Sequence, residues 1–166
     1  MDITLKTDSG YFNYRVGAII IYENNLLMVK NNNSPFYYSV GGRVKFGETS
    51  ENAVLREVYE ETQINSEIER LAFIHENFFV GDFIEDTNIS FHEIALFYLM
   101  KPHESIKNIK CERIDTNEFQ EFLCWLPIDK LPDYNIYPEF FKTELQNLIN
   151  SVSHFVTKNE KTIRVK

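Results

Sequence analysis

The chain has 166 residues, 43% of them hydrophobic and 14% aromatic, which predicts one folded domain with its own core and excludes a disordered chain. The formal net charge of −8 argues against non-specific nucleic-acid binding, which needs clustered lysine and arginine. A small anionic substrate stays compatible with this charge, because a protein-bound metal ion can supply positive charge locally.

The N-terminus, MDITLKTDSG, has no basic region followed by an apolar run, so we predict no signal peptide. No apolar run reaches the roughly 18 residues typical of a membrane-spanning helix, and we expect a cytoplasmic protein with no membrane partner. Cys111 and Cys124 form no metal or redox motif. Two free thiols fit a cytosolic protein, and a single disulfide is the alternative.

The N-terminal part of the chain predicts strands. Residues 14–21 are apolar on both faces, and a turn at 23–25 leads into a second strand at 26–30. Residues 36–40 are short and aromatic, and we expect them to be extended. The following Gly-Gly pair at 41–42 predicts a break in regular structure.

Helix signals follow this pair. Thr49 and Ser50 are both suitable N-caps, and apolar residues recur through 53–58. We expect the helix to end near 62–65.

Strands dominate the next segment. Residues 68–80 predict one long strand or two broken ones, and 89–100 predict a strong strand that is apolar on both faces. Residues 81–88 read as an acidic loop and 102–117 as a polar loop. A last strand is expected at 118–125.

The C-terminal part predicts a helix at 138–152 and a polar tail at about 157–166 that frays. Strands outnumber helices, and the short strand connections favour mixed or antiparallel pairing. We therefore expect an α/β (α+β) fold as a single domain over 1–166, with its core at about 14–150.

Glu57, Glu60 and Glu61 stand at i, i+3 and i+4, so their carboxylates share one helix face. Like charges at this spacing cost roughly 0.2–0.5 kcal/mol per pair, and the helix dipole disfavours anions near a C-terminus. A solvated helix face is one interpretation. The other is a cation site, because Mg²⁺ and Mn²⁺ favour carboxylate oxygens.

The surrounding residues extend this pattern. Gly42, five residues, Glu48, seven residues, Arg56-Glu57-Val58, one residue, Glu60-Glu61 resembles the Nudix box of the MutT-like Nudix hydrolases. One fixed position departs, because Gln63 stands where the family has glycine. The resemblance covers about 14–149 and implies an α/β/α sandwich around a mixed β-sheet.

The resemblance implies an enzyme that hydrolyses a nucleoside diphosphate linked to a group X, by water attack on phosphorus with Mg²⁺ or Mn²⁺ as cofactor. Glu57, Glu60 and Glu61 match the metal-binding glutamates of the family. Glu57 also matches a position implicated as general base, and Arg56 matches an arginine that orients a catalytic glutamate. Which glutamate takes the proton stays open.

Two further box residues have implied roles. Glu48 matches a glutamate that either braces the loop or approaches the metal. Gly42 matches the glycine that lets the backbone come close to the site. Arg43 and Lys45 flank the loop and could contact phosphates, with ordinary solvated cations as the alternative.

Glu93 is the candidate for a further metal-binding carboxylate outside the box. It lies in a largely apolar strand, where a buried carboxylate is costly unless it is paired or metal-bound. The alternative is that Glu93 faces solvent or pairs with a lysine.

Five aromatic residues could stack on a base, although aromatic residues in strands more often belong to the core: Phe36, Tyr37, Tyr38, Phe79 and Tyr98.

Gln63 puts the exit of the helix in question. The family glycine suggests a left-handed residue there, a conformation that costs other residues roughly 1–2 kcal/mol. The chain either absorbs this cost at Gln63 or turns at Asn65 instead. The departure also motivates an alternative function, a nucleotide-binding or sensing module on the same fold.

Two further properties follow the resemblance only in part. Homodimers are frequent in the family, and the identity of X stays open.

Overall fold

The computed structural model describes residues 1–32, 34–81, 88–109, 113–115 and 120–165. Most of the predicted acidic loop at 81–88 lies outside these ranges, and so does Cys111. None of the helices in the described ranges has the length and apolar character needed to cross a membrane.

Strands make up most of the fold. Within the described ranges there are twelve: β1 (Thr4–Thr7), β2 (Gly10–Ile19), β3 (Ile21–Tyr22), β4 (Asn25–Asn31), β5 (Tyr37–Arg43), β6 (Ile68–Gly81), β7 (Ile89–Met100), β8 (Arg113–Asp115), β9 (Gln120–Pro127), β10 (Ile136–Tyr137), β11 (Ser153–Lys158) and β12 (Lys161–Arg164). The helices are α1 (Ser50–Thr62), α2 (Phe141–Glu144) and two 3₁₀ segments at Glu104–Asn108 and Ile128–Asp133.

The sheet is mixed, as the sequence predicts. Its main order is β12-β11-β6-β7-β2-β5-β4-β9-β8. β2 runs parallel to β7 and β11 runs parallel to β6, whereas β6 and β7 are antiparallel. The expected single domain with a mixed sheet and few helices is confirmed.

Each face of the sheet has its own apolar core. On one face, Ala53, Val54 and Val58 of α1 are fully buried against β2 and β5 residues such as Val16 and Val40. The opposite core is rich in phenylalanine and includes both α2 and the second 3₁₀ segment. The sheet therefore lies between two helical layers, and α1 is fixed over β5, where the box begins.

The predicted break at Gly41-Gly42 is wrong, because β5 runs through both residues. Gly41 has φ +147°, and a Cβ there would lie 2.3 Å from the carbonyl oxygen of Val16. The glycine therefore lets β5 approach β2 closely while it stays in the ladder.

The predicted helix at 138–152 is also wrong in length, since α2 covers only four residues. Phe140, Phe141 and Leu145 anchor this segment in the core, and the chain then turns away and leaves Ile149 43% exposed. The polar loop predicted at 102–117 contains the first 3₁₀ segment and β8.

The segment predicted as a frayed tail forms strands instead. β11 pairs with β6, and a hairpin turn at Asn159 and Glu160, both with positive φ, returns the chain as β12. Positive φ at both central residues suits a two-residue hairpin. Only one side of β11 is buried, at Ser153 and Phe155, so the apolar pattern typical of a strand is weak there. The polar composition therefore did not predict this pair of strands.

Candidate active site

The box helix α1 begins where the sequence predicts. Thr49 is the N-cap, and its Oγ1 accepts the backbone N–H of Asn52 at 3.1 Å. Because Ala53, Val54 and Val58 face the core, Arg56, Glu57 and Glu60 remain near the box loop.

Arg56 binds Glu48 through a two-pronged contact. Its Nε donates to Glu48 Oε1 at 2.8 Å and its Nη2 donates to Glu48 Oε2 at 2.9 Å. Glu48 Oε2 also accepts the backbone N–H of Lys45 at 3.0 Å. The Arg56 hydrogen bonds lower the pKa of Glu48 to about 2. Both oxygens of Glu48 are thus engaged in bracing the loop.

The same guanidinium also reaches the other carboxylates. Arg56 Nη1 donates to Glu57 Oε1 at 2.6 Å and to Glu60 Oε2 at 3.3 Å. Its Nη2 donates to the backbone oxygen of Arg43 at 3.1 Å, which ties helix and strand together. A planar guanidinium with several donors fixes carboxylate rotamers better than an ammonium would.

Gly42 provides the space for the Glu57 carboxylate. A Cβ at Gly42 would lie 2.5 Å from Cδ, Oε1 and Oε2 of Glu57. A side chain at this position would therefore displace the Glu57 carboxylate. Burial raises the pKa of Glu57, and the neighbouring Arg56 opposes part of that rise.

Glu61 points to a different partner. Its Oε1 accepts the backbone N–H of Gly41 at 3.1 Å, whereas its Oε2 is buried and has no hydrogen-bond partner in the described part of the chain. Burial raises the pKa of Glu61 to about 8, and the nearby Glu57 charge adds to the rise. A buried carboxylate oxygen without a partner is costly, so this atom suits a ligand such as a cation.

The donor set suits a hard divalent cation in its chemistry. Among the described residues, however, no group of three or more acidic, histidine or cysteine side chains is already gathered around one metal position. Mg²⁺ commonly takes one or two carboxylates and fills its remaining positions with water and substrate phosphate. The arrangement of Glu57, Glu60 and Glu61 is compatible with that mode.

The two cationic side chains near the start of the box, Arg43 and Lys45, have different surroundings. Lys45 uses its backbone N–H to hold Glu48. Arg43 lies opposite Arg15 of β2 in the ladder, and its Nε is buried with no hydrogen-bond partner within the described ranges. Arg43 therefore has donor capacity close to the box that its neighbours leave unused.

Glu93 lies on β7, outside the box. It is 5% exposed, and its Oε2 accepts a hydrogen bond from Asn13 Nδ2 at 3.4 Å. The same oxygen lies 3.7 Å from Arg15 Nη1. It therefore neither faces solvent nor pairs with a lysine. Across the described residues, none of its hydrogen bonds or ion pairs involves a carboxylate of α1.

Glu93 forms part of the wall of a cleft of about 1240 Å³. Phe36, Tyr38 and Phe79 line this cleft, whereas Tyr98 belongs to the α1 core. The sequence analysis did not single out other polar lining residues, notably Arg15 and Asn77. A polar side chain placed within an apolar strand is the signal that marks them, as it marks Glu93.

Comparison with known proteins identifies the family. A model of the NUDIX domain matches residues 12–143. The chain belongs to the Nudix hydrolase family. The match includes the whole Nudix box and all of α1, and it ends within α2 at Thr143.

Solved Nudix structures share the fold. The mutator MutT protein of Bacillus halodurans superposes with a TM-score of 0.61 over 92% of this chain and 97% of that chain, at 15% identity. An ADP-ribose pyrophosphatase of Streptococcus suis gives a TM-score of 0.53 over 87% and 98% of the two chains, also at 15% identity. Likeness at such identity shows the fold alone.

One curated relative aligns over part of the sequence. The ADP-ribose pyrophosphatase of Methanocaldococcus jannaschii is 38% identical over 63 residues. That alignment spans 36% of this chain and 37% of that protein.

Proposed function

We propose that this chain is a divalent-metal-dependent pyrophosphohydrolase that cleaves a nucleoside diphosphate linked to a group X, such as a nucleoside triphosphate or ADP-ribose. The observation that carries the proposal is the state of the box carboxylates. Arg56 donates to Glu48 and Glu57 at 2.8 and 2.6 Å and to the more exposed Glu60 at 3.3 Å, and Glu61 keeps one buried oxygen without a partner among the described residues.

Glu57, Glu60 and Glu61 are the residues we expect to hold Mg²⁺ or Mn²⁺. A bound divalent ion would neutralise charge on phosphate oxygens and lower the pKa of a bound water molecule. Their oxygen ligands match the preference of these hard cations, and nucleotide phosphates would complete the coordination.

The protein residues themselves would orient the substrate and move a proton. Arg56 fixes the Glu57 carboxylate beside Gly42, and burial makes Glu57 a better proton acceptor than an exposed glutamate. Glu57 is therefore our first candidate for the general base, with Glu60 and Glu61 as alternatives. The guanidinium of Arg43 and the ammonium of Lys45 would bind phosphate oxygens.

Partial similarity supports a nucleotide substrate without choosing one. The archaeal relative is named as an ADP-ribose pyrophosphatase, but its alignment covers about a third of each chain. We therefore retain nucleoside triphosphates, ADP-ribose and related nucleotide sugars as candidate substrates.

A nucleotide-sensing module without catalysis is the alternative that Gln63 motivates. Gln63 takes the left-handed conformation, with φ 59° and ψ 22°, and its backbone N–H donates to the Tyr59 oxygen. The helix therefore ends as it would with glycine, and every box carboxylate remains. This geometry favours the enzyme over the sensing module.

The test replaces Glu57 and Glu60 singly with glutamine and assays nucleoside triphosphates, ADP-ribose and nucleotide sugars with Mg²⁺ and with Mn²⁺. We expect each variant to lose about 10²–10⁴-fold in turnover, because a catalytic or metal-binding carboxylate is removed. Glu51→Gln, in the exposed first turn of α1, is the control and should retain activity.

Circular dichroism and thermal unfolding would show that the variants remain folded. Unchanged turnover in both Glu57→Gln and Glu60→Gln would overturn the proposal. Nucleotide binding without product release under either metal would favour the sensing module.

A further inference from the structure

Three strands form a polar row, which we call the cleft floor; Asn77 and Glu93 line the cleft, and Asn13 is the neighbour of Glu93 on β2. Asn77 of β6 pairs with Glu93 of β7, and Glu93 pairs with Asn13 of β2, so their side chains share one face. The three residues are 3%, 5% and 2% exposed, respectively. Burial of three polar side chains in a row is costly unless they are well hydrogen-bonded.

Glu93 is incompletely hydrogen-bonded at the centre of this row. Both of its contacts fall on Oε2, at 3.4 Å from Asn13 and 3.7 Å from Arg15. These distances are longer than those of a normal charge-assisted hydrogen bond. Thr4 donates to Asn13 Oδ1 at 2.9 Å, which leaves the Asn13 amide nitrogen directed at Glu93. In the described part of the chain, Oε1 of Glu93 makes no hydrogen bond or ion pair.

Aromatic rings border the polar row. Phe79 and Phe91 occupy the neighbouring register row and stack at 4.8 Å between centroids. Tyr38 and Tyr137 also line the cleft, 6.4 Å apart. Phe79 and Tyr38 are 39% and 38% exposed, so ring faces are accessible to a ligand. Aromatic faces stack on any nucleobase and give affinity with little discrimination.

Arg15 lines the cleft and also lies beside β5, the strand on which the box begins. Arg15 lies two residues along β2 from Asn13, roughly 7 Å, and pairs with Arg43 of β5. Its charge lowers the pKa of Glu61 in the box, although burial has the larger and opposite effect. A ligand with its ring at Glu93 would therefore have its phosphates near Arg15 and Arg43, next to the box.

We propose that the row Asn77–Glu93–Asn13 is the recognition site for the ring of the substrate, and that it selects a ring edge with adjacent N–H donors, as in guanine. This inference rests on the proposed function and names the substrate class. A carboxylate only accepts hydrogen bonds, so Glu93 would pair with two adjacent N–H groups, the N1–H and the amino group of guanine. The Asn77 amide can donate to the carbonyl oxygen on the neighbouring ring carbon. Adenine would instead direct a ring-nitrogen lone pair at the carboxylate, which is repulsive.

The test measures equilibrium binding of GDP and ADP by calorimetry in EDTA, so that no turnover is needed. We expect the parent chain to bind GDP at least about tenfold more tightly than ADP, because a site built for hydrogen bonds rejects a ligand that leaves them unmade. Glu93→Gln, which replaces an acceptor with a donor, should reduce this preference at least about tenfold. Glu76→Gln is the matched control, since Glu76 precedes Asn77 on the opposite face of β6.

Three results would overturn the inference: an unchanged preference in Glu93→Gln, an equal loss for both nucleotides, or a parent chain that prefers ADP. An equal loss would indicate a role in phosphate or metal binding instead. The parent preference decides the question even if Glu93→Gln does not fold. GDP preference without hydrolysis under Mg²⁺ or Mn²⁺ would contradict the proposed function alone, and hydrolysis without GDP preference would contradict this inference alone.

Discussion

Glu48 and Glu57 of the box are half-buried and Glu93 of the cleft floor is buried, and the two regions satisfy their carboxylates differently. In the box, Arg56 approaches Glu48 and Glu57 at 2.6–2.9 Å, and the loop backbone adds a further bond. On the cleft floor, the contacts of Glu93 measure 3.4 and 3.7 Å. Short charge-assisted bonds fix the box before any ligand arrives. The floor instead retains hydrogen-bonding capacity that a substrate ring would use.

Under the proposed function, this difference would separate two tasks within one fold. Chemistry at phosphorus tolerates little displacement, which suits carboxylates fixed by the Arg56 guanidinium. Recognition of the substrate ring suits a surface whose polar groups gain their best partners only on binding. Variants can test each half of the comparison.

The largest effect is expected from disturbing the rigid half with Gly42→Ala. The new Cβ would overlap the end of the Glu57 side chain, which can move away at little cost in stability. We expect kcat/KM to fall about a hundredfold, because a displacement of about 1 Å at a catalytic group costs that much. The free energy of unfolding should change by less than about 1 kcal/mol.

Gly47→Ala is the matched control for this prediction. Gly47 has φ +84°, but its Cβ would contact nothing within 4 Å. Alanine there should cost about 1 kcal/mol in stability and leave Glu57 in place, so kcat/KM should be retained. Equal losses of activity in the two variants would mean that Gly42 has no special relation to Glu57.

A second test contrasts Glu93 with a buried neighbour on the same face that makes a short hydrogen bond. His75, two residues before Asn77 on β6, is 1% exposed and shares a 2.8 Å hydrogen bond with Thr157. Burial, followed by the His154 charge, lowers the pKa of His75 to about 4. The unfolded chain, with a histidine pKa near 6.5, then binds more protons than the folded chain as the pH falls below that value.

The free energy of unfolding should therefore fall by about 2 kcal/mol between pH 6.5 and 5 because of His75. Urea unfolding of the parent and of His75→Asn at several pH values would measure this. We expect the stability advantage of the parent to shrink by about that amount across the interval, with parallel curves above pH 7.5. Parallel curves throughout would show that His75 is not held neutral by the fold.

Local sequence patterns predicted the box well because its parts are adjacent in the chain. The N-cap at Thr49, the shared face of Glu57 and Glu60, and the strand at 89–100 all follow from short-range spacing. Short-range patterns failed at 157–166, where a hairpin pairs β12 with β11 and β11 itself pairs with β6, a strand about 80 residues away.

The cleft floor was missed for the same physical reason. Asn13, Asn77 and Glu93 lie far apart in the sequence, and only the strand register brings them into one row. Glu93 could be singled out as a costly charge in an apolar strand, but its neighbours could not be named. From the sequence alone, Glu93 was therefore a candidate metal ligand, with solvent exposure or a lysine partner as the alternatives, and the structure pairs it with Asn13 and Arg15.

The smallest effect is expected at Gln63, the residue that caps the C-terminal end of α1. Its left-handed backbone carries a cost of about 1–2 kcal/mol relative to glycine. Its side-chain Nε2 donates to the backbone oxygens of Tyr59 and Glu60 at 3.1 and 3.2 Å, and each such bond contributes about 0.5–1.5 kcal/mol. Gln63→Gly should therefore differ from the parent by less than about 1 kcal/mol in unfolding free energy.

Gln63→Ala separates the two opposing contributions, because it keeps the backbone strain and removes both side-chain hydrogen bonds. We expect it to be less stable than Gln63→Gly by about 1 kcal/mol, and turnover should be unchanged in both variants. Denaturant unfolding measures the first expectation and the hydrolysis assay the second. If Gln63→Ala matched the parent, the side-chain cap would contribute nothing. The helix exit would then depend on the Gln63–Tyr59 backbone hydrogen bond alone, and the box carboxylates would be held by Arg56 regardless of how the helix ends.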